Sequence, residues 1–230
     1  VSWYNIITNS VSLDIVRSGL ILNLDAATSI TGSTWSDTSG YGKNYAFYTA
    51  GSGTWTGVPG TSTSSLISYN TTTVKGYKVA VFNGSSWQFA FNNVGFGTSL
   101  PAYTIEIWCQ PTLASTDMCL IHETDSTSIN TSWYTPLVGL VGGYIRTGFF
   151  NGTSTGVYTS SINTYSVNTW YHIVATYSSG LLQLYVNGAF QSSVSATKSN
   201  PTTFFFHIGV KPATTTNNYL GTTTDKNYFT

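Results

Sequence analysis

The chain has 230 residues, eight of them basic and eight acidic, so its formal net charge is zero and 7% of it is charged, where about a quarter is usual. Eight scattered cations (Arg17, Lys43, Lys75, Lys78, Arg146, Lys198, Lys211, Lys226) form no basic face, which excludes a nucleic-acid binder that works by neutralising phosphates. With 41% hydrophobic and 15% aromatic residues the chain can pack a core, which excludes charge-driven disorder, and its polarity comes largely from 68 Ser and Thr residues.

Helical periodicity is nearly absent. Short β-branched and aromatic runs recur between Gly, Asn, Ser and Thr clusters, which predicts an all-β chain. The expected strands are Leu20–Leu24, Asn44–Thr49, Tyr77–Phe82, Trp87–Phe91, Tyr103–Gln110, Met118–Glu123, Tyr144–Phe150, Trp170–Tyr177, Leu182–Val186 and Phe204–Ile208. Ten strands without crossover helices imply antiparallel pairing, and two sheets packed face to face close such a core, giving a jelly-roll β-sandwich. In Tyr103–Gln110, Tyr103, Ile105, Ile107 and Cys109 share the core face, while Thr104, Glu106, Trp108 and Gln110 share the other. Turn chemistry predicts hairpins at Asn83-Gly84, Ser179-Gly180 and Asn187-Gly188. Gly51–Asn70 and Ser126–Pro136 read as long surface loops, where a rigid sandwich would carry a binding site. No apolar run approaches the ~18 residues of a membrane helix, so no membrane insertion is expected.

Four segments resemble the concanavalin A-like lectin/glucanase superfamily in its laminin-G-like branch. They are Gly19-Leu20-Ile21-Leu22-Asn23-Leu24-Asp25-Ala26 with the turn Trp35 to Asn44, the Val79-Ala80-Val81-Phe82-Asn83-Gly84 hairpin, the Tyr103-Thr104-Ile105-Glu106-Ile107-Trp108 strand, and Trp170–Tyr177 followed by Leu182–Gly188. The resemblance implies a concanavalin A-like sandwich over residues 19–212, preceded by an arm (1–18) and followed by a Thr/Asn-rich segment (213–230). The family's usual closing strand would follow Thr230, so that strand is expected to be missing or replaced by another segment. The opening segment also looks like domains of phage and other viral structural proteins. That likeness implies a virion decoration or fibre protein, on the particle surface, with other virion proteins, copies of itself and cell-surface glycans as partners. The alternative is a carbohydrate-binding module of a secreted or cell-surface bacterial protein, and a glycoside hydrolase comes third.

A hydrolase of this fold needs two carboxylates about 5.5 Å apart. The chain has two glutamates, Glu106 and Glu123. With Cys109 opposite Cys119 in a hairpin, they fall on opposite faces of one sheet, so no enzyme is expected and Glu106 reads as a hydrogen-bonded strand residue with His122 as its candidate partner. Gly152-Thr153-Ser154-Thr155-Gly156 fits G-x-S-x-G, but its flanks read as a hairpin rather than the strand and helix of a nucleophile elbow. His122, His172 and His207 lack metal spacing. No cofactor is expected; the resemblance allows a structural calcium ion, held by Asp37 with Asn44 or by Asp117 with Asp125. Glycan contact needs only a stacking ring and a few polar groups, and Trp133, Tyr134 and Trp55 are the loop aromatics placed to supply it. Cys109 and Cys119 read as free thiols, with a cross-strand disulfide as the alternative.

Overall fold

A computed structural model describes residues 18–50, 64–66, 72–74, 77–82, 88–92, 100–114, 118–124, 135–151, 156–198 and 205–209. Among these residues there is no helix. The strands are β1 Ile30–Thr31, β2 Thr34–Trp35, β3 Tyr45–Ala50, β4 Ser64–Leu66, β5 Thr72–Val74, β6 Tyr77–Val79, β7 Gln88–Phe91, β8 Tyr103–Cys109, β9 Met118–Thr124, β10 Thr135–Val141, β11 Tyr144–Phe150, β12 Gly156–Thr164, β13 Tyr171–Ser178, β14 Leu181–Val186, β15 Ala189–Ser195 and β16 Phe205–Ile208. A ten-stranded sheet runs β1-β2-β3-β7-β16-β9-β10-β11-β12 with β4 beside β3, and a four-stranded sheet runs β15-β14-β13-β8. β5 and β6 form a separate ribbon. The expected antiparallel β-sandwich is the fold.

Alternation builds the core. Ile105 and Ile107 of β8 pair with Ala175 and Ile173 of β13, which pair with Leu184 and Val186 of β14. These rows face Phe47, Ala90, Ile121, Val138, Leu140, Ile145 and Phe149 from the large sheet in one cluster. Phe149 meets Tyr177 edge-on at 5.0 Å between ring centroids, a contact from one sheet to the other. Two hairpins form as predicted: Ser179-Gly180 and Asn187-Gly188 take φ values of 50°, 78°, 52° and 78°, the positive pairs a type I′ turn demands. Gly209 is fixed by space as well, because at its φ of 84° an added Cβ would lie 2.8 Å from the Phe82 ring.

The large sheet is buried on both faces at its centre. Ala46, Phe91, His207 and His122 form one cross-strand row, so they share a face, opposite to that of core residues Phe47, Ala90 and Phe206. Phe91 and His207 stack at 4.4 Å, and Phe89, Phe91, His122 and His207 are all buried. Continuous apolar runs such as Met118-Cys119-Leu120-Ile121 are what a strand covered on both sides requires.

Several expectations change. Met118–Glu123 does not form a hairpin with Tyr103–Gln110: β9 lies in the large sheet and β8 pairs with β13. β8 is apolar on one face and matches the one-sided β13, whereas β9 is apolar on both. Cys109 and Cys119 therefore sit in different sheets, both buried, and no disulfide joins them. β6 pairs with β5 and β7 lies between β3 and β16, so Val79–Phe82 and Trp87–Phe91 do not form a ladder with each other; Asn83-Gly84 lies outside the described residues. Leu20–Leu24 is no strand and makes one bridge, Leu24 to Asp37. β4 falls within the expected Gly51–Asn70 loop. β11 and β12 pair across 152–155 as the hairpin that the G-x-S-x-G flanks suggested. The arm before residue 18 and the segment 213–230 lie outside the described residues.

Where the edge strands of the two sheets meet, hydroxyls and an amide close the seam. Ser192 Oγ of β15 donates to the Ser160 carbonyl of β12 at 2.5 Å, Thr159 Oγ1 donates to Ser192 Oγ at 2.6 Å, and Gln191 Oε1 accepts the Ile162 N–H at 3.1 Å.

Burial, aided by the charge of His122, holds His207 well below the usual histidine range. The folded state therefore binds this proton less readily than the unfolded chain, and its contribution is complete above about pH 6.5 and lost as pH falls below it. Between pH 7.5 and 5 this group is therefore expected to remove part of the stability. Urea unfolding of His207→Phe should show a smaller stability loss over that range; an unchanged pH slope would contradict the assignment.

Candidate functional site

The outer face of the four-stranded sheet collects aromatic and polar side chains. In β8 the core face takes Tyr103, Ile105, Ile107 and Cys109, so Thr104, Glu106 and Trp108 point outward, as the alternation predicted. Trp108 pairs across the ladder with His172 of β13, and Glu106 with Val174. Val174 in turn pairs with Tyr185 of β14, and Tyr185 with Phe190 of β15.

The Trp108 and His172 rings stack at 4.7 Å with 21° between planes. Glu106 Oε1 lies 2.7 Å from His172 Nε2, so the two groups share one hydrogen bond, in which Nε2 is the donor whenever the carboxylate is ionised. The Glu106 side chain is 2% exposed. Burial raises its carboxyl above the usual range, and the hydrogen bond and charge of His172 oppose that shift. The backbone of His172 is fixed too: its N–H donates to Asn187 Oδ1 at 2.9 Å, and its carbonyl accepts the Asn187 N–H at 2.8 Å. Trp108 is thus a platform of which 37% is exposed, on a histidine held in place from two sides. Phe190, 51% exposed, meets Tyr185 edge-on at 5.6 Å and forms a second aromatic pair on the same face.

Glu106 is therefore partnered by His172, not His122, because His122 belongs to the other sheet. Glu123 is also in that sheet, where Lys198 Nζ donates to its Oε1 at 2.9 Å and both side chains are buried. Burial raises the Glu123 carboxyl and Lys198 counters it. The two glutamates stand in different sheets, each committed to its own partner.

Asp37 and Asn44 do come together, as organisers of a turn. Asp37 Oδ1 accepts the N–H groups of Asn23 (2.9 Å) and Ser39 (2.8 Å), and Oδ2 accepts Ser39 Oγ (2.7 Å) and the Lys43 N–H (3.0 Å). Asn44 Oδ1 accepts the Asp37 N–H at 2.9 Å. Burial alone would raise the Asp37 carboxyl, but the bonds from Asn23, Ser39 and Lys43 outweigh it and hold it below the usual range. A carboxylate has about four acceptor directions, all used here by the chain, so the donor set does not fit a calcium ion. No group of three His, Cys, Asp or Glu is placed to hold a metal among the described residues. Asp117, Asp125, Trp55, Trp133 and Tyr134 lie outside the described residues.

Sequence reasoning missed Trp108, His172, Tyr185 and Phe190 as a site. The available signal was that Trp108 and Glu106 alternate on the non-core positions of one strand, opposite to its apolar face.

The chain was compared with known proteins. A laminin-G family model, described as concanavalin A-like lectin/glucanases superfamily, matches residues 83–226, more than half of the chain. No curated protein matches. Among solved structures, domain 4 of an extracellular arabinanase from Geobacillus stearothermophilus, solved in complex with arabinotriose, is 17% identical with a TM-score of 0.59 over 90% of this chain and 87% of that one. A botulinum neurotoxin type C structure, whose cell entry is described as dependent on two ganglioside molecules, is 13% identical with a TM-score of 0.53 over 86% of this chain and 44% of that one. The binding domain of Paraclostridial Mosquitocidal Protein 1 is 16% identical with a TM-score of 0.53, over 84% and 48%. This chain spans less than half the length of those two toxin chains. At these identities the likeness is one of fold.

Removing the Asp37 carboxylate strands four chain donors at a half-exposed turn. Asp37→Ala should cost about 1 to 2 kcal/mol in urea unfolding, while EDTA should leave the Tm of the parent protein unchanged. A Tm that falls on chelation and returns with calcium would contradict this account of the turn.

Proposed function

The chain belongs to the concanavalin A-like lectin/glucanases superfamily, and from that premise we propose that it is a non-catalytic carbohydrate-binding module that uses the outer face of its four-stranded sheet. The observation that carries this reading is Trp108, partly exposed and stacked on a histidine that Glu106 and Asn187 hold in place. A flat, rigid ring is the surface on which the apolar face of a sugar packs, and preorganisation spares the entropy of fixing it on binding. Thr104, Thr176 and Gln183 continue the face with hydrogen-bonding groups for hydroxyls.

The separation of Glu106 from Glu123 supports a binding role over hydrolysis, because a retaining or inverting pair must flank one glycosidic bond. The arabinanase domain and the toxin structure, each associated with sugars in its own context, fit the same reading. In this reading the module acts outside the cell or on a particle surface. The virion setting rests on the resemblance of the opening segment, so the carbohydrate-binding reading comes first.

A glycan array followed by titration with neutral oligosaccharides tests the proposal. Trp108→Ala should weaken binding about tenfold or more, as loss of an anchoring aromatic does, with an unchanged Tm. Failure of the parent protein to bind any neutral glycan would overturn the reading. Binding that survives Trp108→Ala and is lost in Trp133→Ala would move the site to the 126–136 loop.

A further inference from the structure

The outer face of the large sheet, on the far side of the sandwich from Trp108, carries a different arrangement. Arg146 lies in β11 between Ile145 and Thr147, both buried in the sandwich, so its side chain projects to the opposite face. Ser160 of β12 is directly across the ladder, and Tyr158 is across from Gly148, one pair further along that face. The guanidinium carbon sits 4.3 Å from the centroid of the Tyr158 ring, and Nε donates to Ser160 Oγ at 3.1 Å.

These contacts fix the plane of the guanidinium with neutral partners and leave its terminal nitrogens outside any described hydrogen bond. The ion pairs among the described residues are His172 with Glu106 and Lys198 with Glu123, and Arg146 takes part in neither. An oriented arginine without a counter-ion keeps a rigid donor fork that matches a planar carboxylate. Tyr158, 50% exposed, adds an apolar ring beside that fork. A carboxylate joined to a ring with an apolar face satisfies both groups.

We propose that Arg146, oriented by Tyr158 and Ser160, binds the carboxylate of an acidic sugar. The site is independent of the Trp108 platform, since it lies on the other sheet and recognises charge rather than a neutral ring alone.

The test is an NMR titration of the whole chain with glucuronate, N-acetylneuraminate, glucose and an Asp-Asp dipeptide. At least one sugar acid should perturb signals around Arg146 and Tyr158 at concentrations where glucose does not. Arg146→Ala should weaken that binding about tenfold or more. Arg146→Lys, which keeps the charge and loses the fork, should not restore it, and Tyr158→Ala should weaken it with folding intact. Trp108→Ala should leave it unchanged, so that loss of neutral-glycan binding and loss of acid binding report on separate sites. Three results would each overturn the proposal: equal response to glucose and both acids, no effect of Arg146→Ala, or dipeptide binding as tight as the sugar acids.

Discussion

Register between β8 and β13 is the constraint on which the rest of the molecule depends. It sets Ile105 and Ile107 against Ala175 and Ile173 inside, and in the same step sets Trp108 against His172 outside. A slip of one residue would turn the isoleucines to solvent and drive Trp108 and Glu106 into the core. Core and candidate site are two faces of one ladder, so the hydrophobic energy that fixes the inside also fixes the geometry outside. The Asn187-Gly188 turn strengthens this coupling: it ends β14 and, through Asn187, also anchors the backbone of His172.

Much of this was legible from residue order. The alternation of Tyr103–Gln110 assigned both faces of β8, and two hairpin turns followed from Ser-Gly and Asn-Gly, whose backbone demands are local. Long-range pairing was not legible. Periodicity says which side of a strand is apolar and nothing about its neighbour, so β8 was joined to β9, its neighbour in sequence, when its partner begins at Tyr171. For the same reason the partner of Glu106 was sought at His122 and stands at His172. The strands Gly156–Thr164 and Ala189–Ser195 were implied only by the hairpin flank at Val157-Tyr158 and the Asn187-Gly188 turn, and their extents were not legible because their Ser and Thr residues blur the contrast between faces. Leu20–Leu24 showed the reverse failure: it has strand composition, yet the Asn23 N–H is taken by the Asp37 side chain rather than by a ladder.

Two distinct polar strategies serve one fold. Inside, Glu123 and Lys198 meet as a buried ion pair, a costly device unless its geometry is satisfied. At the seam between the sheets, hydroxyls and an amide do the closing, and at the Asp37 turn a single carboxylate gathers four donors. Among the described residues, Asp37, Glu123 and Lys198 organise structure, while Glu106 holds the ring beneath Trp108 and Arg146 lies over the Tyr158 ring.

The seam of Thr159, Ser160, Gln191 and Ser192 has a consequence for the environments the module can occupy. Hydrogen bonds between neutral groups are not screened by dissolved ions, whereas exposed ion pairs weaken once the Debye length shrinks to a few ångströms. The hydrogen bonds that join the edges of this sandwich are therefore expected to keep their strength as salt is added. Ionic strength is then left to modulate only what meets the surface, and chiefly whatever meets Arg146.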